Sequence, residues 1–303
     1  NVIDPLAAID RYGTDALRFA LTTGTTPGND TRISDDKLEA ARNFTNKLWN
    51  IGRFVIGQIE GREGLDGWNR SPPRVHREDR WMLSRAQQTA VRVNDLIQDF
   101  QLGEAERILH DFIWSDFADW YIELAKVRLQ LGDEQPRQVL GHVLDRSLKL
   151  LHPFMPFVTE ELWQHLTRVL PKEGVVPESI MLGPYPNPRG RLSQSQLDER
   201  LEADAASVEE VDLLIDVVRA IRNVRAEFNI PPHRRLDVSI SSVASNAALE
   251  EEAKAIQQLA RVGTLNFDGR TTGIGNAKLV VRDATVEISI GDLVDIEVER
   301  KRL

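Results

Sequence analysis

Asn43, Lys47, Asn50 and Phe54 recur at steps of four, three and four, so on a helix they stand in one row. Two amides, one ammonium and one aromatic ring on a single stripe suit unpaired nucleotides. A base stacks on an aromatic face for about 1–3 kcal/mol, while amide and ammonium groups reach base edges and phosphates. The plainer alternative packs Phe54 on a neighbouring helix and leaves the amides in water. The row alone leaves both readings open. Arg53 adjoins the row and joins Asn43 and Asn50 as a secondary candidate.

A second basic cluster lies further on. Arg219, Arg222 and Arg225 follow one another at steps of three, and His233, Arg234 and Arg235 come soon after. Phosphate binding is one reading; pairing with the acids of 198–212 is the other, and the residues do not choose between them. Elsewhere the chemistry is sparse. There is no GxxxxGK phosphate loop and no GxGxxG turn. Asp119, beside Trp120 and Tyr121, has no second carboxylate or histidine at catalytic spacing and reads as a buried cap or pair. With no cysteine and six scattered histidines, neither disulfides nor a zinc site is expected.

The row needs a helix to hold it. Ala41, Phe44, Leu48, Ile51, Gly52 and Val55 form the opposite, apolar stripe of a helix predicted over 36–57. Similar stripes predict helices over 81–101, punctuated by Gly103, then over 104–131 and 138–152, and a further one from Thr159 as cap. Long amphipathic helices joined by short loops make a bundle. Trp114, Trp120, Tyr121 and Trp163 are assigned to its core, and Asp15 with Arg18 to a structural pair at i, i+3. Beyond a proline-rich stretch with an extended piece at 179–182 comes a helix over 208–228. Strand patterning at 236–241, 265–267, 277–281 and 285–290, around helical 246–262, adds a small α/β unit.

At 303 residues the chain is long enough for two domains, and 41% hydrophobic with 28% charged is the composition of a globular protein. The formal net charge of −9 counts against nonspecific nucleic-acid binding, so any RNA contact must be local and directional. No apolar run approaches the roughly 18 residues of a membrane span, and none reads as a secretory signal; a cytoplasmic protein without membrane contact is expected.

The segment ARNFTNKLWNIGRFV at 41–55 resembles the first anticodon-domain helix of class I aminoacyl-tRNA synthetases of the valine, isoleucine and leucine group, the valyl branch above all. NVIDP, YGTDALRFAL, PGND, DFIWSDFADWYIELAK, LHPFMPFVTEELWQ, ESIMLGPYP and IRNVRAEFNIPP follow that branch's order over nearly the whole chain. The resemblance implies a mainly α fold, a helical bundle of the class Ia anticodon-binding kind followed by a small C-terminal α/β unit. Its divisions would be a connector (stem-contact) segment at 1–33, the bundle at 34–170, a linker at 171–207, a bundle-associated basic helix at 208–235, and the α/β unit at 236–303, leading into a truncated coiled-coil arm.

The resemblance also implies function. The parent would attach valine to tRNA(Val) using ATP with Mg. Lys47 and Phe54 match residues that meet the anticodon, Phe54 by stacking on a splayed base. Arg219, Arg222 and Arg225 would touch the RNA backbone. In the first turn of the key helix this chain has Asp35 and Asp36 where a basic residue is found in the family, so no contact is expected there. The chain opens without methionine inside a family segment and lacks HIGH-like and KMSKS-like motifs. An excised piece is expected, without cofactor or aminoacylation activity of its own, whose partners are tRNA(Val) and the missing catalytic and editing domains. The alternatives are an isoleucyl or leucyl enzyme, or a non-catalytic helical scaffold that binds protein through the same stripe.

Overall fold

Helix α1 (Pro5–Tyr12) starts on a proline, whose missing N–H costs nothing in a first turn, and Asp4 caps it by accepting from the Leu6 N–H at 3.0 Å. Gly13, at φ 92°, turns the chain into α2 (Thr14–Thr22). Asp15 does not close on Arg18. It accepts the N–H groups of Phe157 and Val158 at 3.2 and 2.6 Å, while Arg18 donates to the Pro153 carbonyl at 3.0 Å. Both residues thus fasten α2 to one distant turn. The computed structural model describes residues 4–24, 32–66, 68, 72, 74–171, 176–190, 193–269 and 275–291. The PGND motif and the segment 293–303 lie outside them.

Helix α3 (Asp35–Ile59) is capped by Ser34, which accepts from the Lys37 N–H, and two acids in its first turn suit the positive end of the dipole. Leu38, Ala41, Phe44, Leu48, Ile51, Gly52, Val55 and Ile59 are its buried face, which includes the whole predicted stripe. Helices α4 (Arg77–Gln98) and α5 (Leu102–Asp111) follow. The turn between them is made by Phe100 at φ 59°, not by Gly103, which lies inside α5.

A π-helical segment, Phe112–Tyr121, leads into α6 (Ile122–Gln130). Next come α7 (Pro136–Leu151) and α8 (Pro156–Val169). The first turn of α8 is capped from α2 by Asp15. Thr159 sits within the helix, fully buried, donating to the Met155 carbonyl at 2.7 Å. α7 is buried on nearly every side, so its polar groups need partners inside. Arg137 donates to the Gln58 carbonyl, His142 to that of Trp68, and Asp145 accepts from Trp163 and Lys149. Burial drives the His142 imidazole down to a pKa of about 3.

Helix α3 packs on α7 and α8, and at Gly52 the approach to α8 is close. A Cβ at that position would stand 2.5 Å from Cδ2 of the buried Leu162. Gly52→Val is therefore expected to lower stability by about 1–3 kcal/mol through overpacking, read as a lower urea midpoint with unchanged slope. Stability equal to wild type would show that Leu162 moves aside freely.

Contacts group the chain into two units, 1–204 and 205–303. Helix α9 runs Gln194–Glu227 through that division, so 194–207, expected as linker, is helical. Residues 180–182, expected to be extended, form a 3-10 turn. In the second unit, β1 (Leu236–Ser242) and β2 (Val262–Asn266) pair in parallel, connected by α10 (Asn246–Glu251) and α11 (Ala253–Ala260). β3 (Asn276–Val281) and β4 (Ala284–Ser289) form a hairpin, and the sheet order is β2-β1-β4-β3. Val238, Ile240, Val286 and Ile288 are buried, as their alternation requires. The architecture is the expected helical bundle with a small α/β unit. Among the described residues, no helix is long and apolar enough to cross a membrane.

Candidate nucleic-acid interface

The outward side of α3 carries the row. Asn43, Asn50 and Arg53 are exposed, and Lys47 and Phe54 are half-buried. Seven residues separate the last two, which is two helical turns, or about 10 Å along the axis. Each meets a partner from the π-helical segment or from α6.

Lys47 Nζ lies 2.8 Å from Asp119 Oδ1 and 5.0 Å from the centre of the Trp114 ring. Trp114 and Asp119 are five residues apart, a spacing that on an α-helix would turn them about 140° from each other. The π-helical geometry, with its i to i+5 repeat, sets them on one side. Its buried residues show the same repeat: Phe112 and Ile113, then Phe117 and Ala118, five further on. The wider turn is thus what lets one ammonium meet both groups. Trp114 is also the outer end of a run of rings, stacked on His110 at 5.5 Å, which in turn lies 4.7 Å from the core residue Phe44.

Two turns along α3, Lys126 Nζ stands 5.0 Å from the centre of the Phe54 ring and 2.6 Å from Glu123 Oε1. The surface therefore repeats one pattern twice: an aromatic ring, an ammonium over it, and a carboxylate holding the ammonium. Neutral hydrogen-bond groups, Asn43 and Asn50, lie on the same helix.

Sequence reasoning missed Trp114, Asp119, Glu123 and Lys126 as members of this surface. A search at 3.6-residue periodicity sends Trp114 and Asp119 to different faces, and nothing local marks a π-helix. Asp119, expected to be buried, is 46% exposed and paired with Lys47. Trp120, Tyr121 and Trp163 are in the core as expected, whereas Trp114 is partly exposed.

The second basic cluster has mostly internal partners. Arg225 is buried, and its guanidinium donates to the carbonyls of Pro231 and Arg234 at 2.9 Å each. That corrects its expected role on the RNA backbone: the group fastens the end of α9 to the loop before β1. Arg222 is exposed yet donates from Nε to the Leu259 carbonyl at 2.9 Å, and Arg219 is exposed and 3.6 Å from Asp216. Asp216 also accepts from Arg282. Asp216 lies just beyond the acidic span 198–212 considered from sequence.

Residues 79–240 match the family described as the anticodon-binding domain of tRNA ligase. The chain belongs to this family. Over its whole length it is 44% identical to the valine–tRNA ligases of two strains of Dehalococcoides mccartyi, CBDB1 and ATCC BAA-2266, and covers 33% of each. It is 39% identical over 312 residues to the valine–tRNA ligase of Geobacillus kaustophilus, again with all of this chain and 33% of the relative covered. The chain thus spans about a third of the length of the curated relatives it matches. The family match begins at Asp79, within α4, and includes Trp114, Asp119, Glu123 and Lys126. Helix α3 falls within the full-length likeness to the ligases.

Proposed function

We propose that this chain is the part of a valine–tRNA ligase that recognises the anticodon of tRNA(Val), and that the outward row of α3 makes the contact. The observation that carries the reading is the placement of Lys47 and Phe54. Both remain partly exposed on one helix, Lys47 over the Trp114 ring and Phe54 under the Lys126 ammonium, in a chain whose family binds anticodons. Phe54 offers an aromatic face to a splayed base, Lys47 and the amides of Asn43 and Asn50 offer donors to base edges, and Arg53 reaches from the flank. Arg219 and Arg222, exposed on α9, are secondary candidates for the RNA backbone. The full ligase joins valine to tRNA(Val) in the cytoplasm. Its ATP and Mg act in the catalytic part, which HIGH-like and KMSKS-like motifs mark; neither motif occurs in these 303 residues.

Binding to the anticodon stem-loop of tRNA(Val) tests the reading. Phe54→Ala and Lys47→Ala are each expected to weaken association, Phe54→Ala by about 1–3 kcal/mol, the worth of one stacked base. A stem-loop bound equally by both variants and the wild type would remove α3 from the interface.

A further inference from the structure

We propose that Asp119 and Glu123 make this surface selective for bases over phosphates by neutralising its two ammonium groups; the inference rests on the nucleotide-binding role given to α3 above. Lys47 is held by Asp119 at 2.8 Å and Lys126 by Glu123 at 2.6 Å. The four side chains are between 31% and 46% exposed, so an approaching strand meets the carboxylates as well as the cations. Within each of the two pairs the charge sums to zero. A phosphate gains little there, because each ammonium it approaches carries a carboxylate that repels it.

Neutral groups face no such opposition. A lysine ammonium has three donors, and after one is given to the carboxylate two remain for a base carbonyl or ring nitrogen. The rings of Trp114 and Phe54 stack on bases irrespective of charge. The arrangement therefore discriminates by chemistry: base edges and faces are accepted, while backbone-driven, sequence-independent association is suppressed. The formal charge of −9 on the chain acts in the same sense. Exposed ion pairs of this kind contribute little to folding, so amide replacements leave the bundle intact and bear on recognition alone. Retained helical circular dichroism provides the check.

The experiment measures association of the 303-residue chain with the tRNA(Val) anticodon stem-loop, and with the same loop altered at its central anticodon base, across a salt series. Wild type, Asp119→Asn and Glu123→Gln are compared, with Phe54→Ala as reference. Each amide variant is expected to bind both loops about two- to fivefold more tightly at low salt, the scale of one exposed ion pair. The slope of log K against log salt steepens by about 0.7 for each phosphate newly engaged, and the preference for the unaltered loop falls. A wild type that discriminates, with variants whose slope and preference are unchanged, overturns the role of the carboxylates and leaves the anticodon reading standing. Weaker binding by the variants with preference retained also overturns it, since the carboxylates would then only hold the lysines in place. If the wild type shows no preference and Phe54→Ala binds equally well, both fall.

Discussion

Arg128→Met is expected to destabilise the helical unit by about 3–5 kcal/mol, the cost of leaving a buried charge without its partner. The guanidinium lies 2.7 Å from Asp79, 3.7 Å from Glu78 and 2.8 Å from Asp133. Asp79 is wholly buried and Glu78 is 3% exposed. Tyr121 donates to Asp79 at 2.7 Å, but a neutral hydroxyl cannot offset two carboxylates. Removing the arginine thus strands both acids in the core, at the N-terminus of α4. The double replacement Arg128→Met with Asp79→Asn is expected to recover part of the loss, because one stranded charge goes with it. All six tryptophans lie between residues 49 and 163, so their fluorescence in a urea titration reports the first unit alone. A midpoint within experimental error of wild type would show that water reaches the acids and that the network is not the buried one described.

The second large effect is a pH dependence centred on Glu106. Its carboxylate is 1% exposed and accepts hydrogen bonds from the hydroxyls of Thr22 and Thr23 at the end of α2. Burial raises its pKa from 4.5 to about 7, and the two threonine bonds and the Lys37 charge only partly oppose that. The folded state therefore holds a proton that the unfolded chain has lost. Stability from this group is fully present below about pH 4.5, declines as the pH rises through about 7, and is level above that. His142 works in the opposite sense: its pKa of about 3 when folded means that stability falls as the medium is acidified below the ordinary imidazole range. The two contributions overlap, and the wild-type profile alone does not separate them. The difference between wild type and Glu106→Gln does. Gln keeps the shape and cannot ionise, so its stability relative to wild type should rise by about 2–3 kcal/mol between about pH 5 and about pH 8. A pH-independent difference would place water beside Glu106.

Much of the bundle was legible because apolar spacing dictates which faces must be buried. Every member of the α3 stripe from Ala41 to Val55 is in the core, and β1, β3 and β4 fall where alternation predicted them. What was missed depends on partners distant in sequence or on departures from regular geometry. The start of α8 was placed at Thr159 because a hydroxyl residue before an apolar run signals a cap, whereas the cap is Asp15, more than 140 residues away. Phe100 takes a left-handed turn that glycine would adopt more readily, so the break after α4 was assigned to the nearby Gly103. Arg225 was assigned to a phosphate or to an acid because its acceptors are backbone carbonyls, which no side-chain pattern announces.

The candidate interface shows the same division. Its α3 half was visible as a row of residue types. Its other half rests on the π-helical turn that brings Trp114 and Asp119 to one ammonium, and on Lys126 reaching across to Phe54. Neither follows from local spacing.

The most direct test of the central claim is a thermodynamic cycle. Association of wild type and Phe54→Ala is measured with the tRNA(Val) anticodon stem-loop and with a loop altered at the central base, under one low-salt condition. A base stacked on Phe54 predicts that each change alone costs about 1–3 kcal/mol and that the two together cost little more than one. Strictly additive losses, or no loss on either change, would contradict it and leave the outward row of α3 without a part in reading the anticodon.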